Sequence, residues 1–186
     1  MVTNTAVGFS DKINDPAILK ELKKTKKITF IFFIIVFLAP IVITFFIGMN
    51  NKNMKTVLIG CGISAVILLV NIISVIAQKS KKQWEGTVTA KYTKEQRRNR
   101  NADDAQTVYV VEIMTTEGKK EKISGLINPY YDYFNEGDRV RYYPQFNNYY
   151  EKYDKSMDTY VFCPICFAKN DIQNDFCQRC RVPVIK

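Results

Sequence analysis

Residues 28-ITFIFFIIVFLAPIVITFFI-47 decide the architecture of this chain: they form an uninterrupted run without a single charge. A hydrocarbon core roughly 30 Å thick is crossed by about 20 helical residues, so the run predicts a membrane-spanning helix. A second uncharged run, 56-TVLIGCGISAVILLVNIISVIA-77, follows after the polar residues 48–55. So short a connection makes the two helices antiparallel neighbours, a transmembrane hairpin over 28–77. The first run is longer than the apolar region of a signal peptide and no small-residue cleavage site follows it.

Charge is distributed around this hairpin. The 186-residue chain carries a net +9, and the excess hugs the apolar runs. Lys20, Lys23, Lys24, Lys26 and Lys27 precede the first run, and Lys79, Lys81 and Lys82 follow the second. The connection holds only Lys52 and Lys55. Basic residues concentrate on the cytoplasmic side of membrane helices, so both ends are expected in the cytoplasm of a cell inner or plasma membrane. The same lysines suit anionic head groups, which makes the lipid bilayer the first expected partner. Segment 1–27 reads as a cytoplasmic extension with a juxtamembrane helix. Asp15 can cap it, Pro16 suits its first position, and Ile18, Leu19 and Leu22 share an apolar face. This helix is either an interfacial anchor or a plain extension of the first span.

Within the spans, Pro40 removes a backbone donor and is expected to kink its helix. Gly60 and Ser64, four residues apart, form a small-residue stripe that lets another helix approach, either within the chain or in a homo-oligomer. Asn71 is expected to bond across the helix pair. Spans without acidic or basic residues offer little for a pump or transporter.

After Lys82 the period changes from helical to two. Residues 84–92, 107–115, 120–126, 138–143 and 149–153 read as short strands, with turns at Thr116-Glu117-Gly118-Lys119 and Glu136-Gly137. Residues 93–106, TKEQRRNRNADDAQ, read as a mobile polar loop. Four or five such strands within 83–158 point to a small all-β antiparallel barrel or half-barrel of the OB or SH3-like kind. Arg97, Arg98 and Arg100 could meet phosphate, but Asp103 and Asp104 balance them as a solvated loop. The tyrosines 130, 131, 133, 142, 143, 149, 150 and 153 could stack on bases or fill a core. The segment 83–158 is close to neutral, and nucleic acid is the weaker partner.

Trp84-Glu85-Gly86-Thr87-Val88, Tyr109-Val110-Val111-Glu112, Gly118-Lys119 and Gly137-Asp138-Arg139-Val140-Arg141-Tyr142-Tyr143-Pro144 together resemble the small β-domains of several bacterial two-span membrane-protein families. They are also similar to the membrane-tethered OB domain of NfeD-type proteins. The resemblance spans residues 84–144. It implies a membrane-anchored β-domain linked to scaffolding, and no catalytic residue carries over.

Cys163-Pro164-Ile165-Cys166 and Cys177-Gln178-Arg179-Cys180 are two C-x2-C pairs at zinc-ribbon spacing, within the segment 159–186. Four thiolates can close a tetrahedral Zn2+ site at Zn–S distances of about 2.3 Å, which leaves no open position and makes the metal structural. Iron held by the same four thiolates is the rival. Disulfides require an oxidising compartment, which the expected topology denies. Glycine often follows the second cysteine of such a knuckle; here Phe167 and Arg181 stand there. Cys61 lies within the second span and is no ligand.

The chain has no histidine, which removes the commonest general base and its nucleophile pairs. The expectation is a non-enzymatic scaffold or adaptor that presents its β-domain and ribbon to a protein partner. The alternative is a membrane-tethered nucleic-acid or regulatory module.

Overall fold

The computed structural model describes residues 7–51, 54–97 and 105–186. It forms two compact units. Asn14–Lys81 is one, and Lys82–Lys186 together with the N-terminal residues up to Ile13 is the other.

The first unit is a pair of helices, α1 (Pro16–Asn51) and α2 (Met54–Ser80). At about 1.5 Å per residue, both are long enough and apolar enough to cross a membrane. The juxtamembrane segment is not separate: α1 runs unbroken from Pro16. Asp15 starts it as the sequence predicts, its Oδ1 accepting from Ala17 N at 2.7 Å. The helix also continues through Pro40. The eight-residue connection contracts, because helical turns extend to Asn51 and resume at Met54; Lys52 lies outside the described residues. The aliphatic and phenyl side chains of both helices, such as Phe46 and Leu58, point outward.

The two helices approach closely at Gly60. A Cβ built there would overlap the side chain of Thr44, whose Oγ1 donates to Pro40 O at 2.7 Å. Ser64, one turn on, is buried. Within the chain, the small-residue stripe thus seats the first helix at Gly60. Asn71 does not reach across: its Nδ2 donates to Ile67 O of its own helix at 2.8 Å. An amide facing an i−4 carbonyl satisfies itself locally.

The second unit is built on a five-stranded antiparallel sheet: β1 (Trp84–Arg97), β2 (Ala105–Thr115), β3 (Lys120–Gly125), β4 (Arg139–Tyr143) and β5 (Tyr149–Lys152), in the order β3-β2-β1-β4-β5. Among the described residues no ladder joins the end strands β3 and β5. Val88, Val110, Ile113 and Val140 sink into the core with Phe134, Tyr143 and Phe146. Burying each such side chain contributes about 1.5–3 kcal/mol. Gly86 sits where β1 crosses β2: a Cβ would lie 2.6 Å from Met114 O, so the Trp-x-Gly pattern is a packing requirement.

Two features depart from the sequence reading. The polar stretch after residue 92 is not all loop. β1 continues to Arg97 and pairs with a β2 that starts at Ala105, from Thr93↔Tyr109 to Arg97↔Ala105. A short helix, α3 (Pro129–Tyr133), follows β3. Asn128 caps it through Tyr130 N at 3.2 Å, while its Nδ2 donates to Tyr109 O and Ile123 O at 3.3 and 3.1 Å. One side chain thereby pins the helix to the β2–β3 hairpin.

The N-terminal residues add an edge. Val7 bridges Asp154 in antiparallel sense, and Gly8 N donates to Tyr153 O at 2.8 Å. Beneath them lies a buried ion pair, Glu151–Lys155, at 3.0 Å. Glu151 also accepts from Ser10 N at 2.8 Å and from the Tyr143 hydroxyl at 2.9 Å. Lys155 Nζ also donates to Gly8 O at 3.0 Å and Lys152 O at 2.9 Å. All three ammonium donors are used, the condition under which a buried charge is tolerated. Phe9 packs edge-on against Tyr153, with the Arg141 guanidinium 4.0 Å from its ring centre.

Candidate metal centre

The cysteines sit on two matched turns. β6 (Tyr160–Phe162) and β7 (Lys169–Asp171) pair antiparallel, and the first Cys-x-x-Cys forms the connection between them. Cys163 N donates to Ala168 O at 3.0 Å, and Phe167 N returns to Cys163 O at 3.0 Å. The second turn repeats the pattern: Cys177 N donates to Val182 O at 2.8 Å, and Arg181 N to Cys177 O at 2.9 Å. A bridge between Phe176 and Pro183 closes its base.

Both turns need one residue in the left-handed region, directly after the second cysteine. Phe167 has φ 57° and Arg181 φ 63°. Glycine is the usual occupant because a side chain there costs about 1–2 kcal/mol. The knuckle geometry therefore forms without glycine. Phe167 is held in place by its ring, which meets Tyr130 and Tyr149 edge-on at 6.3 and 6.2 Å.

The four sulfurs converge. All Sγ atoms of Cys163, Cys166, Cys177 and Cys180 lie within 4.8 Å of one another, two cysteines buried and two half-buried. The shortest approaches cross between the turns, Cys163–Cys180 at 3.5 Å and Cys166–Cys177 at 3.6 Å. A tetrahedral site with Zn–S about 2.3 Å has sulfur–sulfur edges of roughly 3.8 Å, so the cluster is the right size for one ion. No disulfide links the cysteines. Four soft donors on one centre can hold a metal ion of thiophilic character.

Their protonation is uneven. Burial pushes the Cys163 thiol well up, and burial with the neighbouring thiols pushes Cys180 up to about 11. Burial acts on Cys177 too, but the backbone N–H groups of Cys180 and Arg179 and the adjacent thiols outweigh it, and it is held down to about 7. Cys177 is thus held nearer to thiolate than Cys163 or Cys180, and a bound cation would displace thiol protons.

The turns are joined to the β-domain by aromatic rings. Tyr133 meets Tyr160 at 5.3 Å and Phe162 at 5.2 Å, and Tyr130 meets Phe162 at 5.7 Å. Both tyrosines come from α3, which the strand pattern missed. The dipeptide Asn128-Pro129, a cap followed by a first-turn proline, is the signal that marks it. Tyr130, Tyr133, Tyr142, Tyr143 and Tyr149 are buried and so form core rather than a stacking surface. Of the arginine cluster, Arg97 ends β1, while Arg98 and Arg100 lie outside the described residues.

Asn170, which sequence reasoning passed over, is buried between the two turns. Its Nδ2 donates to Ala168 O at 2.7 Å, and its Oδ1 accepts from Gln178 N at 2.9 Å.

Comparison with protein-family models, with curated proteins and with solved structures finds no match to this chain.

Proposed function

We propose that this chain is a membrane-anchored, non-enzymatic scaffold or adaptor. Its helical hairpin lies in the bilayer, and its β-domain with a zinc ribbon offers a cytoplasmic surface to a protein partner. The observation that carries this reading is the convergence of four thiols on one centre, inside the same compact unit as the N-terminal residues. Four protein ligands fill a tetrahedral zinc, so the metal acts as a staple with no position left for substrate.

The N-terminal residues support the topology. Residues on either side of the two helices belong to one folded unit, which is compatible with two crossings and not with one. Lysine placement then favours the cytoplasmic side, where reduced thiols persist. The strand order, an open seam between β3 and β5 and a single short helix after β3 favour an OB-type reading of the β-domain, a five-stranded partly open barrel.

Affinity capture from mild-detergent membranes tests the proposal by comparing the wild-type chain with Cys163→Ser. Partners recovered with wild type are expected to be lost with the variant while both spans remain inserted. An identical partner set in both would remove the tail from the interaction. Metal analysis of the reduced, purified chain should give one zinc per chain; metal-free protein would refute the ribbon.

A further inference from the structure

Each cysteine turn is internally braced, but four sulfurs form a site only if the two turns are held at a fixed separation. Among the described residues, one side chain connects their backbones by hydrogen bonds on both sides. The Asn170 amide donates to Ala168 O, the same carbonyl that accepts from Cys163 N, and accepts from Gln178 N, between Cys177 and Cys180. Asn170 is 1 % exposed and is fixed in β7 opposite Val161. Its position therefore follows from the β6–β7 ladder and does not depend on a metal. A buried amide with donor and acceptor both satisfied is rigid, since losing either bond leaves a buried polar group unpaired.

We propose that Asn170 is the positioning residue of the metal centre: it couples the two knuckles and presets the spacing of their thiol pairs before the ion arrives. This rests on the four cysteines being a metal site. Outer-shell groups that orient ligands typically alter metal affinity by about 10–100-fold when removed. Four thiolates gathered without a cation repel one another, so spacing set in advance lowers the ordering that the ion must otherwise impose.

The sequence supplies a specific probe. Pro164 follows Cys163 in the first turn, at the place that Gln178 holds in the second. Gln178→Pro therefore introduces a residue the knuckle already accepts, and removes the one N–H that Asn170 receives. Asn170→Leu removes both bonds and keeps the branching and heavy-atom count of the side chain.

The test uses the full chain in detergent micelles under reducing conditions. Zn2+ affinity is measured by competition with a chromophoric chelator, and Co2+ substitution reports tetrahedral thiolate geometry through its visible spectrum. Both variants are expected to bind Zn2+ about 10–100-fold more weakly, with broadened Co2+ bands and unchanged Trp84 fluorescence. Gln178→Pro added to Asn170→Leu should change affinity by less than about twofold further, because the bond it removes is already lost in Asn170→Leu. Gln178→Pro with wild-type affinity and spectrum would overturn the proposal, even where Asn170→Leu fails to fold. Full additivity of the two losses would also overturn it. A wild-type chain that takes up neither ion would instead overturn the metal reading beneath it.

Discussion

Lys155→Met tests whether the buried ion pair holds the N-terminal residues Gly8 and Ser10 to the β-domain. The Lys155 and Glu151 side chains are 1 % and 0 % exposed. Methionine fills the same volume but supplies none of the three donors now given to Glu151, Gly8 O and Lys152 O. The Glu151 carboxylate would keep only Ser10 N and the Tyr143 hydroxyl, and a lone charge would remain in the core. Removing one partner of a buried pair costs about 3–5 kcal/mol, which for a unit of this size lowers Tm by roughly 12–20 °C. Trp84 is the chain's one tryptophan and stacks on Tyr142 at 5.2 Å, so its fluorescence follows this unit without interference from the helices. The double variant Glu151→Gln/Lys155→Met should recover part of the loss, because no unpaired charge stays buried. A single-variant shift under about 1 kcal/mol, the range of an exposed pair, would refute the reasoning.

Gly60→Leu drives a side chain into Thr44 and should cost about 1–3 kcal/mol of helix-pair stability, read by denaturing-detergent titration. Gly62→Leu, which meets nothing within 4 Å, should be near neutral. Arg181→Gly removes a left-handed strain of about 1–2 kcal/mol against a smaller gain in unfolded-chain entropy. The net gain of roughly 0.5–1 kcal/mol should appear as a higher Tm of the loaded chain. Burial raises the hydroxyl pKa of Tyr130, Tyr133, Tyr143, Tyr149 and Tyr150. The folded unit then keeps protons that the unfolded chain releases above about pH 10. Stability is complete below that pH and falls above it. Tyrosinate absorbance should thus rise together with loss of Trp84 signal, and ionisation near pH 10 with the fold intact would contradict the burial.

The hairpin, the strand cores and the ligand set are written locally in the sequence. Apolar runs, alternation and C-x2-C spacing depend on neighbours a few residues away. What escapes is held by other means. The far half of β1 is exposed along Tyr92–Gln96, so neither face is apolar and only backbone pairing marks it as strand. The N-terminal edge depends on contacts between residues more than 140 apart, as in Ser10 N to Glu151, and no periodicity over Gly8-Phe9-Ser10 announces them. Lys152 looks like a solvated strand residue, yet it is buried with Asp158 at 2.8 Å and Asp138 at 3.3 Å. Asn170 carries no signal of its own; its importance comes from where β7 delivers it.

The bridge between Val7 and Asp154 also imposes an order on how the molecule is made. Gly8 and Ser10 are synthesised well before their acceptors and donors on Tyr153, Glu151 and Lys155. Residues 8 and 10 must wait for these partners until Lys155 has been translated. Closing so long a loop carries an entropy penalty that grows only slowly with length, about 0.6 kcal/mol per doubling, and two paired helices that turn the chain back reduce it further. A chain that stalls before Lys155 cannot dock Gly8 and Ser10, and one lacking those two residues leaves a core charge short of partners. The contacts of Gly8 and Ser10 thereby form only once translation has passed Lys155.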